Sequence, residues 1–163
     1  FIMNIKFFFV FLSIFISSYT FAKSENLWSY SLGQFDANDS YDSFEQRIEY
    51  LYEKNLIESY ELKPFVGLMV NTESGKYFYT GLRKDFNLSS NWNITPSFAT
   101  GYYDRGSSKD LGHNIEFRSQ IELSYGTSNK NRMGISINHI SNASIADQNP
   151  GTESIVLSFI RPF

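Results

Sequence analysis

The sequence predicts an all-β fold, an eight-stranded antiparallel barrel that crosses a membrane. Three observations carry that prediction. Segment after segment alternates apolar and polar residues with a period of two, which marks strands with one apolar and one polar face. Each of these segments is long, about ten residues or more. Aromatic residues reach 18% of the 163, with 16 Phe and 11 Tyr, an excess that the interfacial girdles of a membrane barrel would absorb.

In chain order, Met3-Asn4-Ile5-Lys6 supplies a positive charge and Phe7 to Ile16 is almost wholly apolar. Ser17-Ser18-Tyr19-Thr20-Phe21-Ala22 then ends on small residues at its last and third-last places. That is the layout of a secretory signal peptide cleaved after Ala22. The apolar run is too short for a spanning helix, which needs about 20 residues. Residues 1–22 are expected to be removed, with Phe1 and Ile2 ahead of the start, leaving residues 23–163 as the barrel domain.

Eight candidate strands follow, at about 27–35, 44–52, 62–71, 76–86, 92–103, 113–125, 132–142 and 152–163. The first two flank the polar stretch Asp36 to Ser43. Turn-like segments such as Thr72-Glu73-Ser74-Gly75, Leu88-Ser89-Ser90-Asn91 and Gly126 to Asn131 separate others. In the sixth, Ile115, Phe117, Ser119, Ile121, Leu123 and Tyr125 form one face, opposite Asn114, Glu116, Arg118, Gln120, Glu122 and Ser124.

Arg47, Glu49, Arg83, Asp85, Glu116, Arg118, Gln120 and Glu122 all fall on the polar parity. Alternating signs suit a closed interior in which charges pair, and they also suit the solvated outside of a lipocalin-like barrel. The end of the chain favours the former: Ile155, Leu157, Phe159 and Phe163 alternate up to a terminal aromatic, resembling the assembly signal of outer-membrane barrels. The expected architecture is therefore an eight-stranded antiparallel transmembrane β-barrel of the bacterial outer membrane. Trp28, Tyr50, Tyr52, Trp92, Tyr102, Tyr103 and Tyr125 are its expected girdles.

Composition excludes several function classes. Net charge is −3 and no basic stripe is present, so nucleic acid is not an expected partner. Cysteine is absent, which excludes disulfides and thiolate chemistry. Asp104, Asp110 and Asp147 read as solvated loop charges and not as a metal site.

The candidate chemistry lies in the last hairpin. His139 stands two residues before Ser141, and Glu153 follows twelve residues after that serine. Hydroxyl, imidazole and carboxylate are the nucleophile, general base and orienting acid of an activated serine. Met133, Ile135, Ile137, His139 and Ser141 share one strand face, and Glu153 shares parity with Ile155, Leu157 and Phe159. All three polar groups are thus expected on the lipid-facing row, where they are costly without a partner or a function. A hairpin closing near Ala146 or Asp147 sets Glu153 opposite His139 or Ser141, about 4.5–5.5 Å away. His113 lacks such company, and Ser144 is the next candidate nucleophile. Lys84 and Arg83 are expected to snorkel or to face inward.

At His139-Ile140-Ser141-Asn142-Ala143, Asn149-Pro150-Gly151 and Glu153, the chain resembles the PagL family of lipid A 3-O-deacylases. The resemblance is specific over about the last thirty residues and is one of pattern upstream. It implies an eight-stranded outer-membrane barrel with an exterior Ser141-His139-Glu153 triad that removes the 3-linked acyl chain of lipid A. It also implies oxyanion stabilisation by Asn149 and, less so, Asn142, and no metal or cofactor. Members often carry a basic residue where this chain has Asn138, a change expected to bear on how lipid A phosphates are held. The expected partners are lipopolysaccharide and outer-membrane lipid, with a homodimer left open. The competing readings are a non-catalytic outer-membrane barrel for envelope integrity or adhesion, and an exported lipocalin-like binder.

Overall fold

The structure, a computed structural model, describes residues 26–39, 41–126 and 131–162. The expected signal peptide and the terminal Phe163 lie outside these residues, as does most of the turn after Gly126. No described helix is long and apolar enough to cross a membrane.

Nine strands form one antiparallel sheet: β1 (Leu27–Phe35), β2 (Ser43–Leu51), β3 (Lys63–Asn71), β4 (Lys76–Arg83), β5 (Phe86–Asn87), β6 (Trp92–Asp104), β7 (Ile115–Gly126), β8 (Arg132–Ser141) and β9 (Thr152–Pro162). Their order is β4-β3-β2-β1-β9-β8-β7-β6-β5, and β4 also pairs β6, so the sheet closes on itself. The barrel is eight-stranded, because β4 and β5 are one strand with a two-residue break. Both pair β6 in a single register, Arg83 with Ser97 and Phe86 with Ile94. The break lies opposite Pro96, which has no N–H to give to the ladder.

Side chains alternate in and out as the period of two requires. In β8, Met133, Ile135, Ile137 and His139 are exposed while Gly134, Ser136, Asn138 and Ile140 are buried. In β9, Ile155, Leu157 and Phe159 are exposed on the outer wall and Ser154, Ser158 and Ile160 face inward. An apolar outside around a charged inside is the reverse of a lipocalin.

The interior is packed with paired charges. Arg47 bridges Glu45 at 2.6 Å and Arg118 bridges Glu49 at 2.9 Å. Arg83 meets Glu53 and Asp85, and Lys63 bridges Glu53 and Asp85 at 3.1 and 3.2 Å. Tyr79 donates its hydroxyl to Glu49 at 2.9 Å, and the Arg118 guanidinium lies 4.2 Å from the Tyr79 ring centroid.

The aromatic expectation needs one correction. Trp28 packs edge-on against Tyr50 at 5.1 Å, and Trp92 against Tyr125 at 5.2 Å, both at the end that holds the described termini. Tyr103, however, is buried inside with Phe35, Phe65, Tyr77 and Tyr79. Its parity is that of Ala99 and Thr95 and not of Tyr102. Aromatic residues therefore fill the lumen as well as girdling the wall.

Candidate active site

At the end away from the termini, the loop between β6 and β7 folds into the barrel mouth. Ser108, Lys109 and Leu111 are buried there. Asn71 donates its side-chain amide to Ser108 Oγ at 2.8 Å, and Tyr103 donates its hydroxyl to the Lys109 carbonyl at 3.0 Å. Lys109 Nζ bridges Asp36 at 2.7 Å and Asp39 at 3.0 Å in the β1–β2 loop. Burial alone would lower the Lys109 pKa, but the two carboxylates outweigh it and hold the ammonium above its usual value. Thr152 Oγ1 donates to the same Asp36 carboxylate at 3.0 Å, and the Ala37 N–H donates to the Glu153 carbonyl at 2.9 Å. The loops that close the mouth thus also fix the first turn of β9.

That anchoring sets the outward pair beside it. His139 and Glu153 are direct cross-strand partners, and His139 Nδ1 lies 2.8 Å from Glu153 Oε1. Their side chains are 48% and 47% exposed on the outer wall. With Nδ1 engaged, Nε2 is the ring nitrogen left to exchange a proton. Ser141 lies one step along the same face, about 6.5–7 Å away at Cα. No hydrogen bond joins it to the ring among the described residues. The structure therefore brings His139 and Glu153 into contact and places Ser141 alongside them.

The far side of His139 holds a residue the sequence reading passed over. Ser119 of β7 is its other cross-strand partner and is exposed. Glu153, His139 and Ser119 make a polar row across three strands. Directly below it lies an apolar row of Ile155, Ile137 and Ile121. The signal for Ser119 was available, since it is the one polar residue on the apolar parity of its strand. A shallow outer-wall groove of about 650 Å³ runs beside the pair, lined by Ala37, Ser119, Ile121, Ile137, His139 and Ile155.

The β8–β9 loop is built by the two asparagines. Asn142 is fully buried, because it shares inward parity with Asn138 and Ile140. Its amide donates to the Leu111 carbonyl at 2.8 Å and the Gln148 carbonyl at 2.7 Å, and its Oδ1 accepts the Ser144 N–H at 2.9 Å. Both amide protons expected to serve an oxyanion are committed to the loop. Asn149 differs: it is exposed, its Oδ1 accepts the Asn142 N–H at 3.0 Å, and Nδ2 donates only a long 3.4 Å bond to Ser144 Oγ. One Asn149 amide proton remains to donate. Ala143 and Ser144 both adopt positive φ, which makes the tight turn directly after the serine.

Asn138 faces inward and accepts from Arg47 Nη2 at 2.8 Å, so position 138 does not meet lipid headgroups. His113 is exposed and its Nδ1 accepts the Ile115 N–H at 2.9 Å. Lys84 bridges Glu61 at 3.1 Å, at the opposite end of the barrel. No group of three or more His, Cys, Asp or Glu able to hold a metal occurs among the described residues.

The pattern describing the family "Lipid A 3-O-deacylase (PagL)" matches residues 19–160. No curated protein sequence matches. Among solved structures, the chain is similar to the outer membrane enzyme PagL, with TM-score 0.65 and 18% identity over 84% of this chain and 99% of that one. It is also similar to a de novo designed transmembrane β-barrel, with TM-score 0.61 and 11% identity over 87% of this chain and 100% of that one. Neisserial surface protein A aligns with TM-score 0.55 and 15% identity over 88% of this chain and 100% of that one. At these identities the structural likenesses establish the fold alone.

Proposed function

The chain belongs to the lipid A 3-O-deacylase (PagL) family, and on that premise we propose that it is an outer-membrane esterase acting on the 3-linked acyl ester of lipid A. The observation that carries the proposal is the 2.8 Å contact between His139 Nδ1 and Glu153 Oε1 on the outer wall. An imidazole and a carboxylate on a lipid-facing row are expensive unless they serve a purpose.

In this reading Ser141 Oγ attacks the ester carbonyl carbon while His139 Nε2 takes its proton. Glu153 holds the ring in register and stabilises the imidazolium. The Asn149 amide donates to the oxyanion as the carbonyl opens, a type of contact worth about 3–4 kcal/mol in acyl-transfer enzymes. The tetrahedral intermediate collapses with the sugar hydroxyl leaving, protonated by His139. Water activated by the same imidazole then hydrolyses the acyl-Ser141 ester and releases the fatty acid.

The site lies at the end opposite the described termini. With the chain ends on the periplasmic side, as in such barrels, this end faces the outer leaflet and substrate arrives sideways through the membrane plane. The apolar groove below the polar row is a fitting rest for the acyl chain. Mass spectrometry of lipid A from cells producing wild type or Ser141→Ala tests the reading. We expect one acyl chain fewer with wild type only. Identical lipid A from both, with equal amounts of folded barrel in the outer membrane, would sink it.

A further inference from the structure

The seat of the His139 ring has a second wall, and it is a glycine. By strand parity position 151 falls on the outward face with Glu153, in line with Ser141 across the hairpin. Pairing between β8 and β9 stops at Ile140 and Thr152, because Gly151 turns away with φ +63°. A Cβ on Gly151 would stand 2.7 Å from His139 Cε1 and 3.4 Å from Nε2. The ring therefore fills the space that any side chain at 151 would occupy. It is held between the Gly151 backbone on one edge and the Glu153 carboxylate at Nδ1.

We propose that Gly151 is a positioning residue, whose missing side chain allows the imidazole to sit against Glu153 with Nε2 turned toward Ser141. The inference rests on the triad reading given above. Ordinary van der Waals contact begins near 3.4 Å, so a methyl group at 151 would push the ring by roughly half an ångström or more. The contact falls on the ring edge that carries Nε2. Misplacement of about 1 Å at a reacting group costs on the order of 10²-fold in rate.

Two effects of substitution must be separated, the positive φ and the Cβ. Gly106 carries φ +54°, and a Cβ there would meet Ser74 at the barrel mouth, away from His139. Gly106→Ala therefore reports positive-φ strain together with a backbone clash, 2.6 Å from the Ser74 carbonyl oxygen, in a loop that does not touch the ring. Gly151→Asn tolerates left-handed backbone yet still places a Cβ against Cε1, so it keeps the test open where Gly151→Ala does not fold. Turnover of lipid A in mixed micelles, with folding checked by heat-modifiable migration, gives kcat and KM for each variant.

The expected result is a 10- to 100-fold loss of kcat with little change in KM for Gly151→Ala and Gly151→Asn, and near-native turnover for Gly106→Ala. Combining Gly151→Asn with Glu153→Ala should cost less than the product of the separate losses, since both act through ring position. Folded Gly151→Asn with wild-type kcat, or multiplicative losses in the pair, would overturn the assignment. Ser141→Ala and His139→Asn are measured alongside. If they keep wild-type turnover the triad reading itself fails, whereas if they are inactive and Gly151→Asn is not, only the glycine's role fails.

Discussion

Replacing Asn142 by alanine removes three hydrogen bonds at once, to the Leu111 and Gln148 carbonyls and from the Ser144 N–H. Each is worth about 1 kcal/mol net, so the loop should lose about 3 kcal/mol. At 1.4 kcal/mol per tenfold, that lowers the population of ordered loop relative to open loop by about 10²-fold. The strands keep their own ladder bonds, so barrel melting should hardly move. Amide exchange over residues 142–151 should accelerate by about that factor, and turnover should fall with it. Asn142→Asp keeps the acceptor for Ser144 but turns both donors into a carboxylate facing two carbonyls, and it should be at least as damaging. An oxyanion donor would behave otherwise. Its loss costs 10²- to 10³-fold in kcat with the surrounding structure intact. A variant with native exchange in the loop and kcat reduced by that amount would refute the structural role assigned to Asn142.

Three further predictions concern the triad, the mouth and the interior. Ser141→Ala and His139→Asn should abolish turnover, whereas Glu153→Ala should leave a measurable rate, because the orienting acid is the least costly member to lose; initial rates on purified lipid A decide it. Lys109 has a raised pKa in the folded barrel, so its ion pairs stabilise fully below about 10.4, the value of a free lysine, and that contribution fades as pH rises through the folded value. Wild type should thus lose melting temperature more steeply above about pH 10.4 than Lys109→Met does, with the two profiles parallel from pH 7 to 9. Arg118→Met strands the buried Glu49 carboxylate and should cost about 3–5 kcal/mol in urea unfolding, with part recovered in the Arg118→Met/Glu49→Gln pair. An unchanged midpoint would mean that Glu49 is already satisfied by its Tyr79 and Arg47 neighbours.

The strands were legible because a period of two is a local property. The pair flanking the polar stretch Asp36 to Ser43 appears as β1 and β2, and the parity that put His139 and Glu153 outward is the parity observed. The same rule would have placed Asn142 inward with Asn138 and Ile140, since its position relative to Ser141 already fixes its face. Asn149 lies in the loop, where parity has no meaning, and its exposed amide could only be seen in three dimensions. Tyr103 was legible by the same parity, which it shares with Thr95 and Ala99, and its place in the expected girdle followed residue type alone; what the sequence does not show is that Tyr77, Tyr79 and Tyr103 pack together in the lumen. Nor could local pattern reveal Lys109 reaching Asp36, 73 residues away in sequence. That contact exists only once the whole sheet has curled.

The bonds from the Ala37 N–H to Glu153 and from the Thr152 hydroxyl to Asp36 have a bearing on the order of assembly. They tie the beginning of the chain to its end across the seam where β1 meets β9. Among the described residues that seam is the one ladder that pairs strands far apart in sequence, and it cannot form until the last strand is in place. A nascent barrel, still open on its way to the membrane, would hold the β8–β9 hairpin without the Asp36 and Ala37 contacts that steady Glu153. The fully braced hairpin is therefore a product of closure.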